Sequence, residues 1–371
     1  MKKKKINSIG LTFILGFVII SIGCRSVENE ITRDPLKWPF SQQSIWNMPI
    51  GDGARYVKAD LEQVSNGLSL DEDLIVLTPD APMLDIYESS AGWDQHKDRC
   101  VADGPLLYKV PFPKDLVYDK NVWLGTTPNA GLVSLMPDGK TIKQSQPFAR
   151  CESGKPGTSL AVYDDQDIYG EGIYGAHGGS GLSALGGCIR VGELMPGSGP
   201  IRHAMKMNIW AGKNIKYDEV NKGHTWPAPR ADGYAADVYG KERVKPFVNE
   251  VLMGALMALP GNMNLDTMAF ETEPGKRLAQ AFQDHGAYIV DDTYWDTWAI
   301  ETEWGPNGRW ADQFKKAYGF EFETESANNG WERDMQKIFS NLHVVVNNTP
   351  NSIGGGGTPR RPLALPFKTI K

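Results

Sequence analysis

The chain has 371 residues, 41% of them hydrophobic, with 39 basic against 45 acidic side chains and a formal charge of −6. That length can bury a large core, as one big domain or two intimate ones. The acid excess and the lack of a basic patch exclude a nucleic-acid partner gripped through its phosphates.

The first element in the chain is an export signal. Lys2 to Lys5 are followed by the apolar run Ile9 to Ile20 and by Ser21-Ile22-Gly23-Cys24. The run is too short for an ordinary membrane span, and its flanks are those of a secretory signal. The segment looks like a bacterial lipoprotein signal. On that reading residues 1–23 are removed, Cys24 carries lipid, residues 24–37 form a tether, and the protein sits at the outer membrane or cell surface. A plain cleaved signal and an uncleaved anchor are the alternatives; each exports the protein. Losing four lysines leaves 35 basic and 45 acidic side chains. Export permits a disulfide, and Cys100 pairs best with Cys151 because both sit in polar loop sequence, leaving Cys188 odd.

From Trp38 to about Lys216 short strands alternate with Gly and Pro. "LIVLT", "MLDIYES" and "VWLGT" are strand-like, and "GLVSLMPDGKTIKQSQ" reads as a hairpin turning on Pro137-Asp138-Gly139. The rear half changes character. "NEVLMGALMAL" (249–259), "GKRLAQAF" (275–282), "RWADQFKKAY" and "WERDMQKIFSNL" have helical spacing, with a strand from Ala287 to Val290 after Gly286. The expected fold is α+β: a β-rich front (38–216), sandwich or open barrel-like, packed with a mixed α/β rear (217–347), and a coil tail (348–371). The whole of 38–371 is expected to be one compact, monomeric unit.

The chemistry concentrates in "YDDQDIYGEGIYGAHGGSGLSALGGCIRVGEL", Tyr163 to Leu194. Asp165 and Asp167 alternate on extended chain and so face the same way. Two carboxylates forced together hold one proton near neutrality, as a glycosidase requires. If they are one catalyst and its tuning partner, the second carboxylate is Glu171, Asp292, Glu301 or Glu303. The same Asp-x-Asp spacing also suits a loop-bound calcium or a solvated turn, although Ala176 stands where an EF-hand needs glutamate. No other cofactor and no protein-bound metal centre is expected. Glycines at 175, 178, 179 and 181 would leave His177 projecting from a turn, free to transfer protons; its blander role is to hold the loop by bonding carbonyls.

Eleven tryptophans and thirteen tyrosines in an exported chain suit a carbohydrate groove. Trp46, Asn47, Arg150, Glu171, Tyr174, Arg190 and Trp295 are the expected substrate contacts. "GGCIRVGEL" resembles the Gly-Cys-Ile-Arg signature of L,D-transpeptidases, in which a cysteine nucleophile is served by a histidine. Here Gly186 replaces the signature's histidine, and Cys188 reads more simply as a small buried residue on a strand.

"WPFSQQSIWNMPIGDGARYV", "DIYGEGIYGAHGGSGLSALGGCIRVGELMPGSGPIRHAMKMNIWA", "WPAPRADGYA", "HGAYIVDDTYWD" and "GGGGTPRRPL" together resemble a family of uncharacterised secreted bacterial proteins over nearly all of Trp38 to Leu365. The resemblance implies export and a single intact unit, and it brings no catalytic residues. The leading expectation is a lipoprotein glycoside hydrolase that cleaves a polysaccharide with Asp165, Asp167 and His177. Its rivals are a polysaccharide lyase using His177, Tyr174 and Arg190, a non-catalytic glycan-binding lipoprotein, and a transpeptidase-like cysteine enzyme.

Overall fold

The computed structural model describes Met1 and residues 32–368 apart from 95, 119–128 and 326. The signal sequence, Cys24, most of the tether and the "VWLGT" strand therefore lie outside the described residues. Where the tether comes into view it is not free. Arg33 is buried, stands over the Phe367 ring, and donates to the Leu365 and Trp38 carbonyls. Among the described residues no helix is long and apolar enough to cross a membrane.

The fold is α+β, built on one open mixed sheet. Its strands run in the order Tyr56–Lys58, His343–Val345, Leu256–Ala258, Ala287–Asp292, Met205–Ile209, Trp298–Gly305, Leu68–Val76, Leu132–Leu135, Thr141–Gln146 and Ala161–Val162. Front and rear are thus not two packed halves. Leu68–Val76 lies parallel to both Trp298–Gly305 and Leu132–Leu135, so strands from both ends of the sequence share one hydrogen-bonded surface. A second sheet joins Met83–Glu88, Leu106–Pro111 and Gly157–Ser159. The 132–146 hairpin forms with its Pro-Asp-Gly turn, and Cys100 is bonded to Cys151.

Three helices cover one face of the main sheet. Thr272 caps Glu273–Asp284 by accepting from the Gly275 amide, and Gly286, at φ 76°, stops it. Asn329 caps Gly330–Ser340 in the same way, and Trp310–Tyr318 ends on Gly319. Their apolar stripes bury Leu278, Phe282, Trp310, Phe314, Trp331 and Phe339 against Met205, Met207, Ile289, Trp298 and Ile300. Each such side chain contributes about 1.5–3 kcal/mol of burial.

The expected 249–259 helix does not form. Gly254 sits at φ 87° and Leu256–Ala258 is a strand between Ala287–Asp292 and His343–Val345. An apolar run buried on both faces has no helical period to obey. The tail runs as coil, and its Gly354–Gly357 stretch lies against Ile50–Gly53, where Gly51 and Gly53 donate to Gly354 and Gly356.

Candidate active site

The opposite face of the main sheet carries polar side chains. Strand alternation puts Asp71 and Asp73 of "LSLDEDLIV", Lys206 and Asn208 of "MKMNI", and Glu301 and Glu303 of "WAIETEWG" on one side. The register sets Glu301 beside Asp71 and Glu303 beside Asp73, with Asn208 beside Ala299. A β-bulge after Ile289 then places Asp291 opposite Asn208. This face does not meet solvent. The segments from Phe40 to Ile50 and from Ile173 to Cys188 lie over it and add Trp46, Leu182, Leu185 and Cys188 to a second core.

The result is a buried ionic cluster. The Lys206 ammonium donates to Asp73 Oδ2 at 2.5 Å and to the Ser183 and Ala184 carbonyls. Asn208 Nδ2 donates to Asp71 Oδ2 (2.9 Å) and Glu301 Oε1 (2.7 Å). His177 Nε2 lies 3.1 Å from Glu301 Oε1 and 3.9 Å from Asp73 Oδ2. Three carboxyls face one ammonium, and burial decides who keeps a proton. Burial and the Glu301 charge push Asp71 well above the carboxylate range. Burial and Asp73 push Glu301 up to about 8. Burial and the Lys206 charge bring His177 down to about 4, so its imidazole is neutral at ordinary pH. Burial opposes the Lys206 charge, but Asp73 outweighs it and the ammonium stays protonated.

The other nitrogen of His177 is also buried and faces Asp291. Its Nδ1 lies 3.7 Å from Asp291 Oδ2, and only 16% of the Asp291 side chain is exposed. Asp291 Oδ1 accepts from the Gly179 amide at 3.0 Å. Asp232 flanks the same turn: an added Cβ on Gly179 would fall 2.4 Å from Asp232 Oδ2, an oxygen that also accepts from Tyr239 at 2.6 Å. Both carboxylates are raised. Burial and Asp232 push Asp291 well above its usual range, while burial, with help from Asp292, lifts Asp232 to about 6.

This pair adjoins an aromatic surface. Arg230 stacks over the Tyr163 ring (5.7 Å to the centroid) and donates to the Gly178 carbonyl. Tyr163, Asp164, Gln166, Tyr174, Pro229 and Arg230 line an open recess of about 260 Å³. Beyond Asp232, Tyr234 packs edge-on to the exposed Tyr294, with ring centroids 5.8 Å apart.

The residues expected from sequence divide sharply. Asp165 and Asp167 are not forced together; each is engaged by its own lysine, Lys143 at 2.7 Å and Lys140 at 3.2 Å. Those ammonium groups also oppose a loop calcium. Among the described residues no hydrogen bond or ion pair joins either aspartate to His177, which is buried rather than projecting. Trp46, Asn47, Arg190 and Cys188 do meet, but around a void of about 20 Å³, room for one water and not for a sugar. Trp46 donates to the Gly172 carbonyl, Asn47 to Pro39, Phe40 and Ser41, and Arg190 to Glu303 at 2.7 Å. Arg150 is spent on the Pro113, Lys114 and Lys155 carbonyls. Glu171 is exposed, and its carbonyl accepts from Ser44. Cys188 is buried, and burial raises its thiol well above the ordinary range, which disfavours the thiolate that a cysteine nucleophile needs. Tyr174 and Trp295 are half exposed, and Tyr174 lines the recess.

Of the alternative carboxylates, Glu301 belongs to the cluster and Glu303 is held by Arg190. Asp292 accepts from the Ala211 and Tyr294 amides and holds local backbone. Its neighbour Asp291 is the residue that reaches His177. Asp71, Asp73, Lys206, Asn208, Asp232, Asp291 and Arg230 were not singled out from sequence. The signal available was the polar alternation of "LSLDEDLIV", "MKMNI" and "AIETE", in which one face of each strand is ionisable. No family model, curated protein or solved structure matches this chain.

Proposed function

We propose that this exported lipoprotein is a polysaccharide-cleaving hydrolase whose acid–base pair is Asp232 and Asp291. One observation carries the reading: two carboxylates flank the Gly178-Gly179 turn, both lifted above the usual carboxylate range and Asp232 to about 6, and Arg230, which donates to Gly178, lines an aromatic recess. Near neutrality Asp232 is largely ionised, while burial favours a proton on Asp291. Asp291, whose carboxyl burial and the Asp232 charge raise, is suited to protonate a glycosidic oxygen, and ionised Asp232 to activate water or attack the sugar. Neutral His177 backs Asp291, while Tyr163 and Tyr174 offer faces to sugar rings and Arg230 a fork to their oxygens.

The test is a panel of plant, algal and microbial polysaccharides, read for new reducing ends. Asp232→Asn and Asp291→Asn should each cut the rate about 10²-fold or more, with far-UV circular dichroism unchanged. Cleavage at the wild-type rate by both variants rejects the pair. New absorbance from unsaturated ends would make the enzyme a lyase. Glycan retention without products would make the protein a binding module.

A further inference from the structure

We propose that Asp73, His177 and Glu301 form a binding site for one divalent transition-metal ion, held by an imidazole nitrogen and two carboxylate oxygens. Their ligand atoms all lie within 4.8 Å of one another. The separations of His177 Nε2 from Glu301 Oε1 (3.1 Å) and Asp73 Oδ2 (3.9 Å) bracket the edge of a zinc tetrahedron, about 3.4 Å for bonds near 2.1 Å.

A second observation points the same way. Glu301 is fully buried, yet its Oε2 has no hydrogen-bond partner. Asn208 is 2% exposed and donates to Glu301 and Asp71, while its Oδ1 is likewise unpartnered. Orphaned oxygens in one buried cluster are unusual and call for a cation or a proton. Charge counting gives the same answer. The carboxyls of Asp71, Asp73 and Glu301 share one cluster with a single ammonium, which is bound to Asp73, so full ionisation leaves two negative charges, which one dication neutralises. Lys206 holds Asp73 Oδ2 and would share that oxygen with the ion; its other donors go to the Ser183 and Ala184 carbonyls, which leaves the Glu301 and His177 atoms to the ion. Asp291, 3.7 Å from His177 Nδ1, stands where carboxylates orient metal-bound imidazoles. Mixed nitrogen and carboxylate donors favour Zn²⁺ or Mn²⁺ over Ca²⁺. The other cluster of suitable residues, Asp98 with Cys100 and Cys151, has its sulfurs tied in a disulfide.

The experiment needs no glycan, so it stands or falls apart from the proposed activity. The purified full chain is stripped with chelator, then titrated with Zn²⁺ by calorimetry. One equivalent should bind, about 10-fold or more weaker in Glu301→Gln, and 10- to 100-fold weaker in Asp291→Asn, which keeps all three ligands. Failure of the wild type to bind Zn²⁺, or undiminished binding by Glu301→Gln, overturns the site and leaves shared protons as the neutralising charge. If Glu301→Gln does not fold, Co²⁺ loading of the wild type decides. Intense visible d–d bands of a four- or five-coordinate ion support the site, and the weak spectrum of the hydrated ion refutes it.

Discussion

A methyl group added to Gly178 would stand 1.7 Å from Asp291 Oδ2, so the glycine turn and this carboxylate share one space. Gly178 is not at positive φ; it is required for closeness and not for conformation. Gly178→Ala should therefore displace Asp291, abolish most glycan cleavage and cost about 1–3 kcal/mol of stability by overpacking. Gly233, beside which an added Cβ meets nothing within 4 Å, is the control. Gly233→Ala should leave the urea midpoint unchanged or slightly raised, through a stiffer unfolded chain.

The pH dependence follows from the same carboxylates. Asp232 is lifted to about 6 in the folded protein against an ordinary 3.8. The folded state then binds more protons than the unfolded chain between those values, so stability falls as pH rises through that window. Activity should move oppositely and increase toward neutral pH as Asp232 ionises. Asp232→Asn should remove the acid limb of the pH–rate profile near 6 and flatten the stability curve between pH 4 and 6. His177, depressed to about 4, contributes with the opposite sign over pH 4 to 6.5. Denaturation midpoints taken every half pH unit for both proteins give the difference directly.

The surface aspartates make the complementary case. Asp165 and Asp167 form exposed lysine pairs, a kind of contact worth about 0–1 kcal/mol. A double Asp165→Asn, Asp167→Asn variant should keep wild-type cleavage and melt within a few degrees of the parent. A loss of activity comparable to that of Asp291→Asn would return catalysis to these residues.

Substrate contacts can be tested without touching the core. Arg230→Ala and Tyr174→Ala remove groups that line the open recess. Each should weaken glycan binding by about 0.5–1.5 kcal/mol, appearing chiefly in KM. Trp46→Phe, by contrast, removes the buried indole bond to Gly172 and should lower stability by about 1–3 kcal/mol while leaving KM unchanged.

The Cys100–Cys151 bond closes a loop with a sequence separation of 51. Chain entropy gives it about 4 kcal/mol of stabilisation. Cys100→Ser with Cys151→Ser should shift the urea midpoint down accordingly, and reductant should have no effect on that variant.

Much of the scaffold was written locally. Thr272, Asn329, Gly286 and Gly319 mark helix ends because capping and left-handed backbone depend on near neighbours alone. Pro137-Asp138-Gly139 marks the hairpin for the same reason, and the Cys100–Cys151 pairing followed from polar loop sequence. The glycine-rich segment announced itself as unusual backbone, and it is: Gly178 and Gly179 abut the carboxylates of Asp291 and Asp232. The alternation of Asp71, Asp73, Lys206, Asn208 and Glu301 lay in the sequence too, since a strand's two faces are fixed by its period of two, but it was not singled out there.

What alternation does not state is which face meets water. Only the tertiary structure sets residue 71 beside residue 301, across a parallel pairing 230 positions apart in sequence, and then closes the glycine segment over both. That closure turns ordinary acidic residues into competitors for protons, because ionisation depends on burial and on neighbours gathered from afar. Residue type and spacing determined that carboxylates, an imidazole and glycines were present; three-dimensional burial decided that Asp291 and Asp232 are the aspartates flanking the glycine turn whose protons are held more tightly.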